Sequence, residues 1–241
     1  MKLKTKNLLT LAELTPKEFL GLIDESIKLK KELKGKGNKP VLKNKTLTMI
    51  FQKPSTRTRV SFEAGMYQLG GHAINLSSDD MQLSRGESIE DTAKTLSRYT
   101  NCIMARVYDH ELLEKLSEHS SVPVINGLSD TFHPCQILAD FMTIKEKKKK
   151  LKGLKITWIG DGNNVCNSMI YGAALSGVKI SIATPKGFEP NKTIVKDAKK
   201  LTTVELTTDP FVAVKNADVV VSDTFSSIHN LDKKRLKKFL P

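Results

Sequence analysis

Two hydroxyls and two guanidiniums crowd one short turn. Ser55-Thr56-Arg57-Thr58-Arg59 follows Pro54 and the apolar run 46–51, and after them the apolar spacing changes from strand-like to helical. The first N–H groups of a helix have no intrahelical partner and lie at the positive end of its dipole, so this strand-to-helix turn is suited to an anion. Ser and Thr add short donors, and Arg adds a planar fork that matches phosphate. A plainer reading stands beside it: Ser55 or Thr56 as an N-cap, with Arg59 paired to Glu63 one helical turn on.

Four further polar groups follow apolar runs. Arg106 closes "CIMAR", placed to meet an anion or simply to reach solvent. The run His133-Pro134-Cys135-Gln136 enters a helix, and its His and Gln are three apart, so both can face one point. With Arg106 nearby, His133 would polarise a carbonyl. A thiol nucleophile at Cys135 finds no oxyanion hole or orienting acid in its neighbourhood. "GDGNN" at 160–164 opens a second such turn, but a dinucleotide fingerprint needs glycine where Val165 stands. Asn164 instead offers a donor and an acceptor, which suits a zwitterionic small molecule. Asp223, ending "DVVVSD", would hold a cationic amine or serve as a turn residue.

These groups need elements to position them, and the pattern supplies strands alternating with helices throughout. "TPKE" at 15–18 is a capping box with Pro at the first helical position, opening a helix to about Leu33; "SIED" at 88–91 caps another. Apolar runs at 46–51, 72–77, 102–107 and 122–128 read as strands, as do four more after residue 154. The expected fold is α/β, with two doubly wound domains built on parallel sheets, in which ligands sit outside the carboxyl ends of strands. The lysine run near 147–152 marks the boundary, giving domains 1–148 and 149–241.

Composition narrows the function classes. The formal charge is +13, yet the excess sits in lysine runs such as "KEKKKKLK" with few aromatics between them, which reads as solvated surface and not as a nucleic-acid interface. The 3 cysteines have no metal-ligand spacing and indicate reduced thiols. No apolar run approaches the roughly 20 residues of a bilayer span, and the start lacks a signal-like core. A cytoplasmic protein with no nucleic-acid or membrane partner is expected.

Taken together, "FQKPSTRTRVSFE", "DDMQLSRGESIEDTAKTLSRY", "IMAR", "FHPCQILADFMTI" and "WIGDGNNVCNSM" resemble the ornithine branch of the aspartate/ornithine carbamoyltransferase family, in order and over nearly the whole chain. The resemblance implies a carbamoyl phosphate site formed by Ser55, Thr56, Arg57, Thr58, Gln82, Arg106, His133, Pro134, Cys135 and Gln136. Within it, Arg57, Arg106, His133 and Gln136 act on the reacting group. It implies an ornithine site in the second domain from Asn164, Asp223, Ser227 and Ile228. It further implies carbamoyl transfer to the δ-amine, no metal or organic cofactor, and a homotrimer or larger homo-oligomer whose Gln82 loop lies near a subunit interface. Two departures stand out. Where the family has Ser-Met-Gly, this chain has Ser227-Ile228-His229, which leaves a different amine substrate or a non-catalytic carbamoyl phosphate binder as alternatives. The family's later His-Cys-Leu-Pro strand and final helix are not found before Pro241, so the second domain is expected to be incomplete.

Overall fold

The computed structural model describes residues 3–224 and 237–239. Helix α1 (Pro16–Lys34) starts as its capping box requires: Thr15 N–H and Oγ1–H both donate to Glu18 Oε2, at 2.9 and 2.7 Å, and Glu18 N–H returns a bond to Thr15 Oγ1. Two compact units divide the chain, one of Met1–Leu14 with Gly21–Cys135, the other of Thr15–Leu20 with Gln136–Pro241.

In the first unit, β1 (Thr46–Phe51), α2 (Thr56–Gln68), β2 (His72–Ser77), α3 (Ile89–Tyr99), β3 (Cys102–Arg106), α4 (His110–His119) and β4 (Val124–Leu128) alternate, with two 3₁₀ turns, Ser78–Asp80 and Gln82–Arg85, after β2. The four strands form one parallel sheet in the order β2-β1-β3-β4. Side chains of a strand alternate between faces, and parallel sheets are covered on both, so β1 is buried on both sides. Ile50 packs with Ala93, Ile103, Leu113 and Leu116 on one face, while Leu47, Met49, Phe51 and Met104 pack on the other. Burying each such side chain contributes about 1.5–3 kcal/mol. The N-terminal segment adds one parallel bridge at the β4 edge: Leu8 N–H donates to Val124 O and Asn126 N–H to Leu8 O, both at 2.9 Å. The sequence pattern gave no sign of this strap, because a single bridge has no period.

The second unit holds most of α5 (Pro134–Lys148), then β5 (Lys155–Ile159), α6 (Asn164–Ser176), β6 (Lys179–Ala183), α7 (Lys192–Ala198), β7 (Val204–Thr207), α8 (Pro210–Val214) and β8 (Val219–Val221). Its sheet is also parallel, in the order β7-β6-β5-β8. Trp158 and Met169 are fully buried, and Phe19 meets Phe141 edge to face at 5.3 Å. Helix α8 was not expected. Its signal is Asp209-Pro210, with the Asp side chain accepting from Phe211 and Val212 N–H and proline at the first helical position. Among the described residues β8 ends the sheet, and Val220 on it is exposed. No helix among the described residues is long and apolar enough to cross a membrane.

Helix α6 approaches α5 closely because Gly172 has no side chain. A Cβ there would lie 2.6 Å from Phe141 Cε2 and 2.7 Å from Ile137 Cγ2, both in fully buried residues. Helix propensity alone favours alanine over glycine by about 1 kcal/mol, whereas overpacking a filled core costs about 1–3 kcal/mol. Gly172→Ala should therefore lower the denaturation midpoint in guanidinium. A midpoint equal to or above the parent's would show that α5 yields freely to the added methyl.

Candidate functional site

Sheet order decides where a ligand can lie. In the first unit the chain leaves β1 toward β2 on one side, and β3 lies on the other, so the carboxyl ends of β1 and β3 form a switch point. Phe51 pairs with Arg106 there. Gln52 locks the two ends together, its N–H donating to Arg106 O at 2.9 Å and its Oε1 accepting from Tyr108 N–H at 3.1 Å.

The turn from this end carries both readings of its residues at once. Ser55 caps α2, its Oγ accepting from Thr58 N–H at 3.3 Å, and Arg59 pairs with Glu63 at 2.9 Å. Ser55 Oγ–H also reaches Thr58 Oγ1 at 3.0 Å, and Arg106 Nη1 donates to the same Thr58 oxygen at 3.3 Å. Thr56 and Arg57 are exposed on the first turn of α2. Burial first, and the nearby Arg57 charge second, lower the pKa of Arg106, and the Arg106 Nε–H is buried with no partner. Two guanidiniums, one with an unspent donor, thus converge on a helix N-terminus.

His133 joins this group. Burial first, and the Arg106 charge second, push its pKa down to about 4, so the ring is neutral at neutral pH. The loop before it is held by the buried Asn126, whose Nδ2 donates to Leu9 O at 2.9 Å and, at 3.4 Å, to Ser129 Oγ and Phe132 O. His110 Nδ1 lies 2.8 Å from Ser129 Oγ, and its ring meets Phe132 edge to face. Pro134 is buried at the start of α5. Cys135 turns its thiol onto Asn126 O at 3.4 Å, and burial raises its pKa to about 12. That is a poor thiolate. Gln82 is exposed on the second 3₁₀ turn and makes no hydrogen bond to the Ser55–Thr58–Arg106 group.

The second unit repeats the device. Its switch point falls between β5 and β8, and Trp158 pairs with Val221 beside it. The turn after β5 is drawn in tightly: Gly162 N–H donates to Phe188 O at 2.8 Å, and a Cβ on Gly162 would sit 2.2 Å from Pro190 N. Asn164 is the half-buried first residue of α6. Its neighbour Asn163, which the sequence reading passed over, is the one that bonds Asp223: Nδ2 donates to Oδ2 at 3.0 Å. Gln136 is exposed and donates to Asp140 Oδ1 at 2.9 Å. Desolvation raises the Asp140 pKa, the Gln136 bond opposes this, and the charge of Asp223 adds to the rise. Asp140 was likewise passed over, although it stands one helical turn after Gln136. Ser227, Ile228 and His229 lie outside the described residues.

The depressed pKa of His133 has a measurable consequence. Between pH 6.5 and about 4 the unfolded chain takes up a proton that the folded one refuses. The associated stability is complete above pH 6.5 and is lost as pH falls toward 4, by up to about 3 kcal/mol. His110 shifts in the same direction. His133→Asn should therefore lose less stability than the parent between pH 7.5 and 4.5 in guanidinium titrations. Equal losses would assign the acid sensitivity elsewhere.

Comparison with known proteins is consistent along the chain. Residues 6–146 match the family model described as aspartate/ornithine carbamoyltransferase, carbamoyl-P binding domain, and residues 152–241 match its Asp/Orn binding domain. The ornithine carbamoyltransferase of Cenarchaeum symbiosum is 60% identical over 241 residues, covering 100% of this chain and 79% of that protein. The one from Methanosarcina acetivorans is 49% identical over 97% of this chain and 78% of its own length. Among solved structures, ornithine carbamoyltransferase from Pyrococcus furiosus superposes with a TM-score of 0.94 at 46% identity, covering 99% of this chain and 79% of that one. With both halves matched in order and identity sustained from end to end, the chain belongs to the aspartate/ornithine carbamoyltransferase family.

Proposed function

We propose that this chain transfers the carbamoyl group of carbamoyl phosphate to the δ-amine of L-ornithine, giving L-citrulline and phosphate. The observation that carries the reading is the pair Arg57 and Arg106 at the β1/β3 switch point. The buried Arg106 Nε–H has no partner and a second guanidinium stands close by. An unpartnered buried donor and a like-charge neighbour are both unfavourable, and a dianionic phosphate relieves both.

In this reading residues 1–148 bind carbamoyl phosphate and residues 149–241 bind the amino acid. Ser55, Thr56, Arg57 and Thr58 hold the phosphate, with Gln82 contributed by its loop. Arg106, His133 and Gln136 attend the carbonyl, with Pro134 and Cys135 setting the start of α5. A neutral His133 donates one hydrogen bond and adds no charge beside Arg106. Asn164, Asp223, Ser227 and Ile228 hold ornithine, with Asp223 taking the cationic α-amino group. The neutral δ-amine attacks the carbamoyl carbon and its lone pair forms the new C–N bond. Charge builds on the carbonyl oxygen among fixed donors, the C–O bond to phosphate breaks, and the amine's proton leaves with the phosphate. Orientation and preorganised charge do the catalysis.

The reaction belongs to arginine metabolism, and we place it in the cytoplasm. We also assign the active form to a homotrimer or larger homo-oligomer. Helix α2 has no fully buried residue, and Val60 and Tyr67, two turns apart on one side of it, are 57% and 83% exposed. An apolar face of this kind favours being covered.

The deciding assay is citrulline formation with a panel of amines, in which ornithine should be the preferred acceptor. Arg57→Ala should raise the dissociation constant for carbamoyl phosphate about ten- to a hundredfold, the value of one charged bidentate contact. Arg57→Lys should recover little of it, since the fork is lost. Unchanged binding in the alanine variant would sink the phosphate assignment. Asp223→Asn should weaken ornithine and leave carbamoyl phosphate nearly untouched. Equal weakening of both ligands would show that the two sites are not divided as proposed.

A further inference from the structure

The amide of Asn163 does two things, and only one of them is helix capping. Its Oδ1 accepts from Val165 N–H at 3.0 Å and from Cys166 N–H at 3.1 Å. Two donors on one atom fix which end of the amide is oxygen, so the nitrogen must point away from α6. It points at Asp223 Oδ2, 3.0 Å away and 60 residues along the chain. The bond joins the ends of β5 and β8, the two strands that flank the switch point.

We propose that Asn163 is a positioning residue, which holds the Asp223 carboxylate in the orientation that receives the ammonium group of the amino-acid substrate. The inference rests on the ornithine reading above and deepens it. With Oδ2 committed to Asn163, Asp223 makes no hydrogen bond through Oδ1 within the described residues, and that oxygen is available to a cation. The restraint matters because Asp140 stands close enough to act electrostatically on Asp223. Two carboxylates repel, and an unrestrained Asp223 would swing from its neighbour. The amide nitrogen is a neutral donor that opposes this without neutralising the charge the substrate needs.

Capping and positioning can be separated by substitution, because Ser and Asp cap helices about as well as Asn, whereas Ala does not. The experiment compares Asn163→Ala, Asn163→Ser and Asn163→Asp with the parent full chain, by thermal melting and by citrulline kinetics with each substrate varied at saturation of the other. The alanine variant should melt lower and show a raised KM for ornithine. The serine variant should melt with the parent, yet keep a KM for ornithine about tenfold or more above it, as expected for a lost charge-assisted hydrogen bond. Its KM for carbamoyl phosphate should stay within about twofold, since separate sites act independently. The aspartate variant should also melt with the parent and raise the ornithine KM further, because it sets a third carboxylate against Asp223. A serine variant with the parent's ornithine KM would reduce Asn163 to a cap and overturn the inference. So would a serine variant that melts as low as alanine, or one in which both KM values rise together. If the parent itself makes no citrulline from ornithine, the functional reading fails and this inference falls with it.

Discussion

The parallel pairing of Phe51 with Arg106, repeated in the second unit by Trp158 with Val221, is the constraint on which the site geometry depends. At each place the chain departs from the inner strand away from its partner, so no connection crosses between their carboxyl ends. Backbone polar groups at those ends need partners, and helix N-termini arrive beside them with unspent N–H groups. The fold therefore generates two polar crevices before any particular side chain is chosen. Side-chain chemistry then makes them opposite in sign: guanidiniums gather at one, carboxylates at the other.

Neither cluster stabilises the protein on its own. Arg57 and Arg106 repel, the Arg106 Nε–H is buried without a partner, and the cost of ionising Asp140 is raised by burial and, in addition, by the charge of Asp223. Such arrangements persist because the surroundings overdetermine them. Around Arg106 that support is the Gln52 clasp and the two-sided core of β1; around His133 it is Asn126, buried and bonded to three separate oxygens. The apolar core sets the scaffold, and the polar sites draw on it.

Much of this architecture is visible in the amino-acid order, for reasons that are local. Capping residues act within four positions, so Thr15–Glu18 and Ser88–Asp91 fold as their spacing implies. Two-faced burial makes parallel strands read as short apolar runs, and all eight among the described residues are legible. What was not legible depends on strand order. Nothing near residue 163 says that β8 will lie beside β5, so the bond from Asn163 to Asp223 has no local signature, and attention falls on Asn164 instead. Asp140 is similar: its place one turn after Gln136 was readable, but its encounter with Asp223 was not. The 3₁₀ turns after β2 were hidden in a polar loop, and α8 was missed although Asp209-Pro210 announces it.

The N-terminal strap carries a consequence for how the chain is made. Leu8 and Leu9 find their partners in Val124 and Asn126, and Asn126 Nδ2 reaches Leu9 O across 117 positions. Residues 8 and 9 cannot dock until the strand ending near Leu128 has followed them from the ribosome. Closing so long a loop costs chain entropy before it gains any contact, and non-local closures of this kind slow folding. The same Asn126 side chain then braces the His133 loop. The loop thus becomes ordered only when the earliest and latest segments of the first unit have met, which makes completion of the sheet and assembly of the anion site one cooperative event.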